Sequence, residues 1–313
     1  QQPSDRLPMI LCPCNTAVPF LIRRRRIAAF LRHFFLRHAH QFFHCTKARK
    51  CMRVAIIKEI QRNPIGDHFL EPLTLFFDLG NTLLYNRDPG DENIEIACVH
   101  AADAFAGLGY LIRPNDLAAA HYHNLIRYYA IRDGDHIEHS AEQIFIQTLE
   151  EFGFTDLPAK DIHAAIQAFY AYTQSNWYLI DGVPELLGKL RQKGHTLGLI
   201  SNASSIQDVL TQLQSHRLSD FFTSVNISAA IGFRKPRREI FEAALKDVGA
   251  EAGNAVMIGD TFIADILGAK RMGMRAVWAT RYAKTDQVIL PDVHADFLLD
   301  DITLLEEVLD LIR

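Results

Sequence analysis

The stretch Leu75-Phe76-Phe77-Asp78-Leu79-Gly80-Asn81-Thr82-Leu83 carries an apolar run directly into one carboxylate and then into a glycine-containing turn. Leu73 to Phe77, short, apolar and aromatic, reads as a strand. In an open α/β sheet, chemistry sits in the crevice outside the carboxyl ends of the strands. Asp78 falls at that end, where a carboxylate can act as a nucleophile.

The same arrangement recurs downstream. His195-Thr196-Leu197-Gly198-Leu199-Ile200 leads into Ser201-Asn202, and Ala255-Val256-Met257-Ile258 leads into Gly259-Asp260. Between them, Gly232-Phe233-Arg234-Lys235-Pro236 sets a lysine just before a helix start, and the proline disfavours the α region at Lys235, turning it away from that helix. Asp265 lies one helical turn beyond Thr261, facing back toward the strand end. Three convergent carboxylates, Asp78, Asp260 and Asp265, are unfavourable unless a cation neutralises them. Mg²⁺ suits such a set, because it takes oxygen ligands octahedrally and keeps some of its water. Lys235 opposes the cluster as a second source of positive charge. Ser201 and Asn202 offer a hydroxyl and an amide to phosphoryl oxygens, aided by nearby helix N-terminal N–H groups.

Around these strand ends the pattern alternates. Helices are expected over 184–193, 205–214, 237–247 and 262–271, and strands over 196–200, 221–225, 255–258 and 275–278, with an edge completed by 295–298 and a helix over 301–311. Such alternation gives an α/β fold, a Rossmann-like, mostly parallel sheet covered by helices on both faces. One long interruption follows the first strand. Helical periodicities over 93–107, 114–131, 139–152 and 159–174, broken at Gly109, Gly134 and Gly153, form an all-helical insertion that ends near Trp177-Tyr178-Leu179.

The 313 residues, 49% apolar and 22% charged, suffice for a full core. The net charge of −4 conceals an asymmetry: residues 1–60 hold 12 Lys and Arg against 2 Asp and Glu, whereas the rest holds 21 against 35. An acidic body is a poor nucleic-acid binder, so any phosphate it recognises is held locally, as on a small anionic metabolite. The basic segment reads as a poorly ordered extension, with Met52 an ordinary start for the body. A basic amphipathic helix over 22–43, suited to anionic surfaces or targeting, stands beside that reading. Cys12, Cys14, Cys45 and Cys51 lie in this segment at spacings that miss the usual structural zinc pattern. Cys98 alone lies in the body, as a small buried hydrophobe on a helix. An odd total argues against a disulfide-stapled secreted domain, and no apolar run is long enough for a membrane span. A cytoplasmic setting is the expectation.

The ordered set Asp78-Leu79-Gly80-Asn81-Thr82, Ser201-Asn202, Lys235 and Gly259-Asp260-Thr261 with Asp265 resembles the four motifs of the haloacid-dehalogenase-like superfamily of hydrolases, over about 73–300 of the chain. The resemblance implies a core made of 61–84 and 179–313. It also implies that 85–178 is a mobile helical cap of the C1 type, which closes over the crevice and selects the substrate. The implied activity is that of a Mg²⁺-dependent phosphatase. Asp78 attacks phosphorus, and water hydrolyses the aspartyl-phosphate with Ser201, Asn202, Lys235 and Asp265 assisting. Mg²⁺ is held by Asp78, the Gly80 carbonyl and Asp260, with Asp265 beside them.

One position departs from the family. Its phosphatases carry a second Asp two residues after the nucleophile, which protonates the leaving oxygen, and here that residue is Gly80. Losing a positioned acid–base removes about 10²–10⁴-fold in rate, a loss that falls least on good leaving groups such as acyl or aryl phosphates. His121, Tyr122, His123 and Tyr128 are the cap candidates for a replacement donor, although each reads first as packing or surface. Arg87, Arg113, Arg127 and Arg132 read as surface ion pairs or as holders of a substrate anion. Trp177 and Tyr178 pack the hinge or line the pocket. A 2-haloacid dehalogenase, which needs no proton donor and no Mg²⁺, and a non-catalytic binding protein on the same fold are the alternatives. Phosphonate cleavage would need a cap lysine as a Schiff base, and the insertion holds only Lys160.

Overall fold

The strand that opens the motif lies at the centre of a six-stranded parallel sheet. This computed structural model describes residues 71–88 and 90–309, together with the backbone of 10–11 and 17–18. The expectations for the basic segment, including its helix over 22–43 and its cysteines, fall outside the described residues. There, only a two-residue antiparallel ladder pairs Ile10 with Val18 and Leu11 with Ala17.

Elements are numbered from the first sheet strand. They are β1 (Thr74–Phe77), β2 (Leu84–Asn86), α1 (Asp91–Gly107), α2 (Pro114–Asp135), α3 (Ala141–Glu150), α4 (Ala159–Gln174) and β3 (Trp177–Leu179), then α5 (Val183–Gln192), β4 (Thr196–Ser201), α6 (Ile206–Ser215) and β5 (Ser224–Ile227). After the short α7 (Ser228–Ile231) come α8 (Arg238–Val248), β6 (Ala255–Gly259), a π-helix (Phe262–Leu267), α9 (Gly268–Arg271), β7 (Arg275–Ala279) and β8 (Phe297–Leu299). The sheet order is β8-β7-β6-β1-β4-β5, every neighbouring pair parallel. The chain leaves β1 to one side for β4 and β5 and returns to the other for β6, so the strand order reverses at β1. That switch point is where the carboxyl ends leave a crevice.

Every residue of β1 and β6 is buried, as expected of strands covered on both faces. Phe76 and Phe77 have no exposed surface, and burying each side chain is worth roughly 1.5–3 kcal/mol. Gly198 in β4 admits the Phe76 ring: a Cβ there would sit 2.6 Å from it.

The helical cap is inserted between β2 and β3. Ala97, Cys98, Ala101, Ala102 and Phe105 form one stripe of α1, at the spacing of a single helix face. The stripe shares a core with Leu117, Phe145, Leu149, Ile162, Ile166 and Phe169 of the other three helices. Pro114 opens α2 at a position that needs no backbone donor. Ser140 and Gln143 close a reciprocal capping box on α3. Cys98 is buried as expected, and burial, with Glu95 nearby, pushes its thiol up to about 12.

Three local expectations are corrected, and one pairing is added. Gly134 does not break α2, which runs to Asp135 and ends at His136 in the left-handed region, φ 57°. The strand expected over 221–225 begins at Ser224, because Ser219–Phe221 turns as a 3₁₀ helix. The segment 262–271 starts as a π-helix rather than an α-helix. Finally, Leu84–Asn86 and Trp177–Leu179, the two cap linkers, pair antiparallel as a ribbon at the cap's root. No helix among the described residues is long and apolar enough to cross a membrane.

Candidate active site

Asp78 continues β1 by one residue, its N–H donating to the Ile258 carbonyl of β6 at 2.8 Å. The chain then turns sharply, with the Leu79 carbonyl accepting from the N–H groups of Leu83 and Leu84, both at 3.0 Å. Asn81 takes a positive φ of 56° inside this turn, a conformation that asparagine tolerates better than most residues. Gly80 therefore stands beside Asp78 at the crevice mouth.

β6 delivers Asp260 in the same way. The turn after it is fixed from a distance: the Asp260 carbonyl accepts from Trp278 Nε1 at 2.8 Å and from Gln287 Nε2 at 2.9 Å, and Phe262 N–H donates to Gln287 Oε1 at 2.6 Å. Asp265 bends back because its Oδ2 accepts from Thr261 N–H at 2.9 Å. A Cβ at position 259 would lie 2.2 Å from the Asp265 carboxyl carbon, so glycine is required there. The π-helix is the backbone form that this return takes, and single π turns recur at functional sites.

Lys235 enters from the opposite side, 3% exposed and preceding a cis peptide bond to Pro236. Its Nζ lies 2.6 Å from Asp78 Oδ1, 2.7 Å from Asp265 Oδ1 and 2.7 Å from the Ile200 carbonyl. The ammonium thus donates to Asp78 and to the Ile200 carbonyl and forms an ion pair with Asp265. Asn202 grips the lysine's main chain at both ends of its amide, accepting from Lys235 N–H at 2.8 Å and donating to the Lys235 carbonyl at 3.0 Å. Asn202 was read as a contact for phosphoryl oxygens, but its amide faces Lys235. Ser201 is buried at the end of β4.

The structure thus gathers Asp78, Asp260 and Asp265, each offering an oxygen within 4.8 Å of the others. All three carboxylates are buried. Burial raises the Asp78 pKa to about 6; Lys235 opposes the rise and Asp265 adds to it. Burial, then repulsion from Asp78 and Asp265, raises Asp260 to about 8. Burial works against the Lys235 ammonium too, yet Asp265 and Asp78 outweigh it and hold its pKa above the ordinary lysine value. One ammonium against three carboxylates leaves an all-oxygen site with a negative surplus, the donor set of a hard divalent cation.

Of the cap donors considered above, His121, Tyr122 and Tyr128 are engaged elsewhere. His121 packs against Phe145 with Nδ1 3.2 Å from Thr148 Oγ1, and burial lowers its pKa to about 3. Tyr122 packs on the cap core, and His123 is exposed. Tyr128 donates to Glu138 Oε1 at 2.6 Å. Arg113 pairs with Asp116, and Arg132 lies over the Tyr129 ring, while Arg87 lies over Tyr178.

Sequence reasoning missed Glu138. From the loop between α2 and α3, this buried carboxylate meets Arg234 and accepts from Ser228 Oγ at 2.5 Å and Ser204 Oγ at 2.8 Å. It joins the cap to the two core loops that carry Asn202 and Lys235. A lone acid in a polar loop gives no periodic signal. Gln287 was missed for the same reason.

Residues 111–279 match the haloacid dehalogenase-like hydrolase family. A glyceraldehyde 3-phosphate phosphatase from Pyrococcus furiosus is 33% identical over 132 residues, 42% of this chain and 54% of that protein. The Methanothermobacter thermautotrophicus protein of the same name is 38% identical over 125 residues, 38% of this chain and 54% of that protein. The chain spans about half the length of these curated relatives. The crystal structure of a 2-haloacid dehalogenase from Pseudomonas syringae covers 77% of this chain and 99% of its own, with a TM-score of 0.55 and 22% identity, a likeness of fold.

Proposed function

This chain belongs to the haloacid dehalogenase-like hydrolase family, and we propose from that premise that it is a Mg²⁺-dependent phosphatase of small phosphorylated metabolites, working through an aspartyl-phosphate. The observation that carries the reading is the convergence of Asp78, Asp260, Asp265 and Lys235 at the sheet's switch point. Three buried carboxylates would be strongly unfavourable without a cation to bind. The same cluster favours a phosphatase over a dehalogenase that needs no metal. The phosphatase relatives support this reading as well.

Asp78 is the nucleophile, its carboxylate oriented by the β1–β6 hydrogen bond and by Lys235. Lys235 keeps that carboxylate charged and lends positive charge to phosphoryl oxygens as charge builds there. Asn202 acts through Lys235, fixing its main chain. Ser201 donates a hydroxyl at the end of the neighbouring strand. Asp78, Asp260, Asp265 and the Gly80 carbonyl would hold Mg²⁺, which when bound supplies charge neutralisation at the phosphoryl group. With glycine at position 80, good leaving groups are favoured.

Phosphate release from acetyl phosphate, p-nitrophenyl phosphate and a panel of phosphorylated metabolites, with Mg²⁺ or with EDTA, tests the proposal. Turnover abolished by EDTA is expected. Turnover of 2-chloropropionate alone would sink it.

The titration of the cluster gives a second expected result. Asp78 and Asp260 are both held above the ordinary Asp value, so the metal-free fold is favoured while they stay protonated. It loses stability as pH rises from about 4 through about 6 and on to about 8. Mg²⁺ must displace those protons. The logarithm of its apparent affinity should climb with a slope near two below about pH 6 and near one from there to about pH 8. Calorimetry in buffers of differing ionisation enthalpy would read the protons released, and a pH-independent affinity would contradict the assignment.

A further inference from the structure

We propose that Trp177 determines specificity on the leaving-group side of Asp78, making it an aromatic, proton-poor wall that selects aryl and acyl phosphates over alkyl phosphates. The proposal rests on the phosphatase reading above.

A Cβ at position 80 would lie 3.1 Å from Trp177 Cη2 and 3.4 Å from Cζ3. The volume into which a side chain at position 80 would grow, two residues from the nucleophile, is thus held by the six-membered ring of the indole. Trp177 reaches it from β3, where it pairs with Asn86. The ribbon is braced by Tyr85, stacked on Tyr282 at 4.8 Å and lying 5.7 Å from Tyr178, over which Arg87 sits at 4.4 Å. Long-range pairing and stacking therefore place the ring.

The edge it presents to Gly80 is aromatic C–H, which offers no acidic proton. Among the described residues, the lysine of the cluster and two buried cap donors are engaged elsewhere. The Lys235 ammonium donates to Asp78 and the Ile200 carbonyl and pairs with Asp265, while His121 and Tyr128 are paired within the cap and its loop. In the first step, a bond forms from an Asp78 oxygen to phosphorus as the bond from phosphorus to the leaving oxygen breaks. The electron pair stays on that oxygen, which departs as phenolate or carboxylate and takes up no proton. In the second step, the oxygen of water bonds to phosphorus as the bond from phosphorus to Asp78 breaks, Asp78 recovers its carboxylate, and both protons of water leave on the phosphate. An alkoxide would need an acid, which neither Gly80 nor the indole edge offers, whereas a flat leaving group gains a ring to pack on.

The test compares kcat/KM for aryl phosphates of graded leaving-group acidity, acetyl phosphate and glycerol 3-phosphate in wild type, Gly80→Asp, Trp177→Phe, Trp177→Leu and both double variants. Gly80→Asp alone should gain less than about 3-fold on glycerol 3-phosphate. Combined with Trp177→Leu, which vacates the volume, it should gain about 100-fold and flatten the dependence on leaving-group acidity. Trp177→Leu alone should lower the aryl-to-alkyl preference by about 2- to 10-fold. A binding readout stands beside these rates. The chain has two tryptophans, and in an Asp78→Asn background p-nitrophenyl phosphate should quench an emission that Trp177→Phe removes. A full gain from Gly80→Asp alone, or a quench that Trp177→Phe leaves undiminished, would overturn the role of Trp177. If wild type hydrolyses aryl phosphates but the double variants are additive, this inference falls and the phosphatase reading stands. If wild type hydrolyses no phosphate at all with Mg²⁺, both fall.

Discussion

Asp78→Asn is expected to lower kcat by on the order of 10⁴-fold or more, the scale seen when a group that takes part directly in bond making is removed. The amide keeps the shape of the carboxylate and its place after β1, so the fold should persist. What is lost is the anionic oxygen that attacks phosphorus. The substitution also removes one of the three repelling charges, and Asp78 contributes to the raised pKa of Asp260. The variant should therefore melt at a higher temperature than wild type in EDTA at pH 8, while binding Mg²⁺ more weakly. Lower activity with raised metal-free stability marks a functional carboxylate, because a structural one would lose both together. Rapid-quench labelling with ³²P should find acid-stable phosphoprotein in wild type and none in Asp78→Asn. Retention of more than a few per cent of kcat would mean that another atom attacks.

The strand ends could be read from sequence because each apolar run gives way to a polar side chain at the carboxyl end of its strand. Phe77 to Asp78, Ile200 to Ser201 and Gly259 to Asp260 are steps from apolar or bare backbone to a polar side chain that is itself buried in the crevice. The cap helices could be read because their apolar stripes repeat at helical spacing. What escaped depends on partners far along the chain. Trp177 and Asn86 are ninety-one residues apart, yet they share a ladder. The π turn depends on a bond from Thr261 to Asp265 and on the absence of a side chain at Gly259. Asn202, in the expected position, proved to hold the main chain of Lys235. Residue type thus announced which groups gather, whereas which lone pair each one uses was settled by packing.

Lys235→Met should test the electrostatic logic of the cluster most severely. Methionine retains most of the lysine's length and removes the ammonium that meets Asp78, Asp265 and the Ile200 carbonyl. Breaking a buried ion pair from one side typically costs about 3–5 kcal/mol, because the remaining charge is left without compensation. The sign with pH follows from the shifts. The Lys235 pKa is held above its ordinary value, so its contribution is fully present throughout the neutral range and is lost only as pH rises through that raised value. The carboxylates it serves are held at about 6 for Asp78 and about 8 for Asp260, so they shed charge by protonation as pH falls. Urea unfolding in EDTA should therefore show a larger deficit at pH 8 than at pH 5.5. Saturating Mg²⁺ should return part of the stability at pH 8, since it stabilises whichever state holds it. Activity should not return with it, because charge on the phosphoryl oxygens opposite the metal site would still lack its ammonium. Lys235→Arg should fare little better than methionine, since a planar fork cannot replace a compact cation placed among three acceptors. Equal deficits at the two pH values would show that the lysine stabilises by packing alone, and the cluster would then lose its claim to be an electrostatic unit.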